Sequence, residues 1–429
     1  MSARRGSLTL TRLYVKGAPP KDLRKPFLAA IRLRAFQPLK PDDEASEASG
    51  WCVLDRPFDL DFDAGKVFED RFVLLGFRID RFRVPAAMVR AQLADEEQKL
   101  LSQSKRDRVS RNERLELRDK ILLRLRRKIP PSTRTVDVVW DLDQGLVLFF
   151  SHSVRVIADF SALFEKTFKL ELTEDSPYVA AERVDLPRAL LKALDRVEPT
   201  SLLQGKKRSS RLADATPRGD ELEPAVDGDA KAAKRSAEAS DDEGEIVMQR
   251  IETTRFLGPE FILYLWVRNE LANSSLRLRD SDYNVWLDQQ LTLESPLDKN
   301  ERVTVRGMAP ADGSEAREAV RSQKLPVRAR IVLQSNERDF AVGLVAPRLG
   351  IAGAKVPAVL TQDASEGFVE RMHLVEELFA VLDALYRTFL LERLSDNWKA
   401  AWEPAIAAWV EENTPPPAVL KALQSKRRS

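Results

Sequence analysis

The stretch Phe68-Glu-Asp-Arg-Phe-Val-Leu-Leu-Gly-Phe-Arg-Ile-Asp-Arg-Phe-Arg-Val84 sets Phe68, Phe72, Val73, Leu75, Phe77, Ile79 and Phe82 in a β-type alternation. Pro85 closes it with a residue suited to the first turn of a helix. From there the period changes. Val89, Leu93 and Leu100 recur at helical spacing, and Leu117, Ile121 and Leu125 step by four behind Ser110 and Glu113, which have capping-box spacing. A strand running into two helices, with a joint near Ser102–Val109, is the expectation here.

Working outward, Leu8–Val15 alternates like a strand and Pro20–Leu33 reads as a helix. Pro130-Pro131 ends the helical pair. Thr135–Leu142 and Leu146–Phe150 then form two apolar segments joined by Asp143-Gln-Gly145, a hairpin turn. Helices follow over Val154–Phe168, behind Ser153, and over Leu186–Val197, with Pro187 near its start. Near Gly205–Glu245 aromatic residues vanish, and the only aliphatics beyond alanine are Leu212, Leu222 and Val226. Such a segment cannot bury enough surface to offset its ordering entropy. Its charges are split by sign, with Lys206, Lys207, Arg208 and Arg211 at one end and Glu238, Asp241, Asp242, Glu243 and Glu245 at the other. A strand is expected at Ile246–Arg255, then an apolar helix Glu260–Leu271. Strands at Tyr283–Leu293, Arg302–Arg306, Val327–Gln334 and Asp339–Val345 follow, with a helix at Ser314–Ser322 and long helices at Ser365–Leu394 and Trp398–Glu411. The pattern predicts an α+β protein, with largely antiparallel sheets and long helices, in two folded parts joined by a disordered linker. The expected divisions are 1–198, a charged linker 199–247, a second part 248–413 and a basic tail 414–429.

Composition narrows the function. Sixty-nine Lys plus Arg oppose 67 Asp plus Glu, a net charge of +2 over 429 residues, so affinity for a polyanion depends on charge segregation. The single cysteine, Cys52, and the two histidines, His152 and His373, supply neither a disulfide framework nor a Cys/His zinc set, which fits a reducing cytoplasm. No apolar run approaches a bilayer span and the N-terminus lacks a signal-type apolar segment, so a soluble cytoplasmic protein without a membrane partner is expected. Phosphate-loop, dinucleotide-fingerprint, nucleophile-elbow and zinc-protease motifs are all missing, and neither enzymatic activity nor a cofactor or metal is expected. His152 lies between Ser151 and Ser153, but neighbours on a strand point to opposite faces. Asp59, Asp61 and Asp63 faintly echo a calcium loop, with alanine where the sharp turn wants glycine.

The strongest local bias is Lys105–Lys128, with eleven cations against four carboxylates, a net +7. Arginine suits phosphate because its planar fork makes paired, charge-assisted bonds. The predicted DNA-binding residues are Lys105, Arg106, Arg108, Arg111, Arg114, Arg118, Lys120, Arg124, Arg127 and Lys128, facing outward as an uncompensated strip. Without a recognisable groove reader, contact with the phosphate backbone of double-stranded DNA is the expected mode. Two alternatives stay open. One is a protein-interaction scaffold that uses the apolar helices; the other is a metal-dependent nuclease built on Asp137, Asp141 and Asp143.

Gly50-Trp51, the strand Phe72–Phe77 running into Val84-Pro85, the helix pair with its basic joint, Leu117–Leu123, Val138-Val-Trp140 and Gly145-Leu-Val147 follow a known layout in order. Over roughly Leu8–Leu172 the chain resembles the recombination-associated protein RdgC family. Where that family carries Leu-Pro-Arg-Ala-Phe after the second helix, this chain reads Ile129-Pro-Pro-Ser-Thr-Arg134. The resemblance implies a nucleoid-associated homodimer, ring-shaped around duplex DNA. It also implies little sequence preference, no cofactor and no covalent chemistry, and a restraining effect on recombinase filaments.

Overall fold

Every residue of Phe72–Asp80 is buried, so this segment is covered on both faces rather than half-exposed as a simple alternation would have it. The computed structural model describes residues 3–17, 23–43, 45–104, 107–200, 247–272, 274–278, 281–298, 300–412 and 415–425. They separate into two units, Met1–Thr173 and Glu174–Ser429. The linker expected at 199–247 falls almost wholly outside the described residues.

The first unit carries β1 (Leu8–Lys16), α1 (Arg24–Leu33), β2 (Glu47–Cys52), α2 (Ala64–Val67), β3 (Phe68–Glu69) and β4 (Phe72–Arg81). There follow α3 (Ala86–Ser104), α4 (Arg111–Arg126), β5 (Ser132–Asp141), β6 (Leu146–Phe149), α5 (Val154–Phe168) and, at the boundary, β7 (Glu171–Glu174). Its sheet runs β1-β6-β5-β4-β2, with β3 on β4 and β7 on β1; the ladders β1–β6, β6–β5, β5–β4 and β4–β2 are antiparallel. The single strand expected at Phe68–Val84 is in fact a tight hairpin, because Asp70 turns the chain with φ 53°. Gly145, with φ 60°, makes the predicted β5–β6 turn.

Phe27 of α1 and Phe160, Phe164 and Phe168 of α5 meet Trp51, Phe77, Trp140 and Phe149 from the sheet in one aromatic core. The Trp51 indole donates to Thr167 Oγ1 at 2.9 Å, so the large ring is buried without leaving its N–H unpaired. Gly50 is required beside it, because a Cβ there would lie 2.5 Å from the Phe36 Cα. Two of the residues that carry the family resemblance therefore have a packing reason.

The second unit has strands β8 (Ser275–Leu278), β9 (Ser281–Glu294), β10 (Arg302–Gly307), β11 (Leu325–Gln334), β12 (Asp339–Val345) and β13 (Gly350–Lys355). They pair antiparallel in the order β10-β9-β11-β12-β13, with β8 also on β9. The helix Leu257–Leu271 is buried nearly all round, and its Phe261 and Tyr264 pack on Tyr386 and Phe389 of the helix Ala364–Arg393. The strand expected at Ile246–Arg255 is corrected: residues 247–253 are helical. The boundary expected at residue 198 is corrected as well. The helices Pro177–Arg183 and Arg188–Leu194 belong with the second unit, where Arg183 pairs with Asp383 and Tyr386 donates to the Pro177 carbonyl at 3.0 Å. The Trp398–Glu411 helix opens as a π-helical turn over Trp398–Trp402, and a further helix, Pro417–Ser425, lies where only a tail was expected.

Candidate nucleic-acid interface

The α3–α4 hairpin begins and ends on neighbouring strands, since Arg81 at the end of β4 pairs with Ser132 at the start of β5. Its two helices close on a narrow seam of Val89, Leu93, Ile121 and Leu125, flanked by the half-buried Val84, Leu117, Leu122 and Ile129. The predicted capping box is present: Glu113 N donates to Ser110 Oγ at 3.2 Å, and Ser110 N donates to Glu113 Oε2 at 2.9 Å. That cap fixes where α4 starts and so which of its residues face the seam.

Lys105 and Arg106 lie outside the described residues. Arg108, Arg111, Arg118, Lys120 and Lys128 are exposed, and none has a carboxylate partner among the described residues. The other three site residues do. Arg114 Nε lies 2.7 Å from Glu97 Oε1, Arg124 Nη1 lies 3.2 Å from Glu96 Oε1, and Arg127 Nη2 lies 2.8 Å from Asp42 Oδ1. The uncompensated strip is thus corrected to five open cations and three paired ones. All three paired arginines are at least half exposed, and such pairs are weak enough to exchange for a phosphate. Arg126 has a structural role, stacking over Phe82 and donating to the Asp43 carbonyl.

Elsewhere the residues singled out for chemistry have structural duties. Asp137 and Asp141 stand four residues apart on β5, about 13 Å along the strand, too far to share one ion. Asp137 accepts from Ala3 N at 2.7 Å, and burial pushes its carboxyl up to about 6. Asp141 is ion-paired with Arg71 at 3.1 Å and accepts from the backbone N–H groups of Asp143 and Gln144. The Asp59, Asp61 and Asp63 carboxylates surround the Lys66 ammonium at 3.1, 3.5 and 3.8 Å, so a side chain fills the place of a cation. Among the described residues no three His, Cys, Asp or Glu side chains are grouped to hold a metal.

His152 Nε2 bonds the Leu10 carbonyl, and His373 is exposed. The thiol of Cys52 is buried, and that burial pushes it up to about 12, away from nucleophilic use at neutral pH. Trp398, Trp402 and Trp409 are buried and donate to Thr200, Glu392 and Glu270, which removes them as a base-stacking ridge. No described helix is long and apolar enough to cross a membrane. No protein-family model matches the chain, and no curated protein matches it in sequence.

Proposed function

We propose that this protein binds double-stranded DNA without sequence preference, through phosphate contacts made by the α3–α4 hairpin. The observation that carries the reading is the set of five exposed cations on one hairpin, Arg108, Arg111, Arg118, Lys120 and Lys128, without carboxylate partners among the described residues. Three further arginines sit beside them in exchangeable pairs. A two-helix slab about 20 Å broad does not enter a major groove about 12 Å wide, so the contacts fall on the backbone rather than on base edges.

The resemblance to the RdgC family supports the same assignment and adds its context, a nucleoid-associated homodimer that restrains recombination. Each phosphate neutralised adds about −0.9 to the slope of log affinity against log salt. A gel-shift titration of two unrelated duplexes at 50 and 200 mM salt tests the proposal. Equal affinity for both sequences and a steep loss with salt are expected; no shift at 50 mM would exclude it.

A further inference from the structure

The cations of α4 do not form one strip. Successive residues of an α-helix point about 100° apart, so Arg111, Arg114 and Arg118 share one direction while Lys120, Arg124 and Arg127 share another, roughly 150° away. Against the buried Ile121 and Leu125, the same spacing sets Arg111 and Arg118 about 40–60° to one side and Lys120, Arg124 and Arg127 about 80–140° to the other. Arg114 falls in line with Ile121 and Leu125 and is held there by Glu97 of α3, while its sequence neighbour Glu96 reaches Arg124. The hairpin is therefore a slab with a cationic broad face on each side.

The sets are also offset along the helix, by about 13 Å from Arg111 to Lys120. Duplex DNA, with a persistence length of about 50 nm, is straight over the length of this hairpin. A straight rod lies against one face of a slab. Nor can a single groove take the slab in and reach both faces with its walls, since the major groove admits one helix and not two.

We infer that the hairpin holds two duplex segments at once, one against Arg111 and Arg118 and the other against Lys120 and Arg124. This rests on the duplex-binding reading above and adds a partner to it: two duplexes brought side by side, not one. The faces differ in kind. The Arg111–Arg118 face also presents Leu115, 47% exposed, and keeps both of those arginines unpaired among the described residues, so it is open at the outset. On the other face Arg124 must first leave Glu96, so the second duplex is captured more weakly and is lost first as salt rises.

The test uses the full chain, a duplex of about 30 base pairs tethered to beads and a second, fluorescent duplex of equal length in solution, with single-duplex binding followed in parallel by gel shift. The wild type is expected to retain the fluorescent duplex on the beads at 50 mM salt. The variants Arg111→Gln/Arg118→Gln and Lys120→Gln/Arg124→Gln each remove two exposed cations without touching the seam. Each leaves one face intact and is expected to keep shifting a single duplex through that face, and to lose capture of the second. Capture that survives in either variant overturns the inference, because two copies using one face each would then suffice. A wild type that shifts one duplex but captures none also overturns it and leaves the duplex-binding reading standing, whereas absence of any shift overturns both.

Discussion

Releasing the two arginines that α3 restrains is the most informative perturbation of this interface. Glu97 and Glu96 stand 2.7 and 3.2 Å from Arg114 and Arg124, and Glu96 is also 3.6 Å from Lys99. The Arg124 hydrogen bond, with the Lys99 charge, holds the Glu96 carboxyl below its ordinary range, so acidification to pH 5 leaves the pair intact. Substitution is what frees the arginine. In Glu96→Gln/Glu97→Gln both guanidiniums become available to phosphate and two competing carboxylates disappear. Arg114 and Arg124 point in different directions, so one duplex gains one contact, which steepens the salt slope by about 0.9, and the ratio of affinities at 50 and 200 mM salt rises about 3.5-fold over wild type. Fluorescence anisotropy of a labelled duplex at 50, 100 and 200 mM salt measures it, with circular dichroism to confirm that helix content is kept. An unchanged slope with intact helices would refute the claim that these carboxylates compete with DNA for the hairpin.

Other consequences lie within reach of standard measurements. Burial raises the Asp137 carboxyl to about 6, above its unfolded value near 4, so the stability it gives through protonation is present at pH 4 and is lost as pH rises through 6, on the order of 3 kcal/mol in all. Urea unfolding of Asp137→Asn at pH 4.5 and 7.5 should lack this decline. Arg393→Ala strands Glu260, which is 3% exposed and accepts from Arg393 Nε at 2.6 Å, and should cost about 3–5 kcal/mol; Arg393→Met/Glu260→Gln should recover most of it in the same thermal melts. Ile121→Ala opens a cavity in a seam of only four buried residues. A loss of about 2–5 kcal/mol should appear in hydrogen exchange as early opening of α3 and α4, together with weakened duplex binding.

The elements that positioned this interface were legible because local chemistry specifies them. The Ser110–Glu113 box, the four-step stripe through Ile121 and Leu125 and the Gly145 turn each need only a few neighbouring residues, and all stand where the periodicity put them. What stayed hidden depends on distant partners. Asp42 precedes Arg127 by 85 residues, and Glu96 precedes Arg124 by 28, so no window along the chain shows which cations are paired. The boundary between units is hidden from the sequence for the same reason, because residues 177–183 are fixed by Asp383 and Tyr386 some two hundred positions away.

Residues 247–253 are helical because Val247, Ile251 and Thr254 fall at helical spacing, whereas the alternation of Ile246 and Met248 in the sequence favours a strand. The strands β2 and β13, rich in glycine and alanine, carry little β-propensity and are held by their ladders. A single cationic strip is excluded by geometry rather than composition, since the nine-residue step from Arg111 to Lys120 makes a half-turn around α4.

The central claim is that exposed hairpin cations grip phosphate, and the salt dependence of duplex binding by the variant Arg108→Ala/Arg111→Ala/Arg118→Ala/Lys120→Ala/Lys128→Ala tests it most directly. The account predicts a slope shallower than wild type by about 0.9 for each phosphate contact the duplex loses, equally on every duplex sequence, with the thermal stability of the fold unchanged. A variant that binds as tightly as wild type, with the same slope, would contradict it.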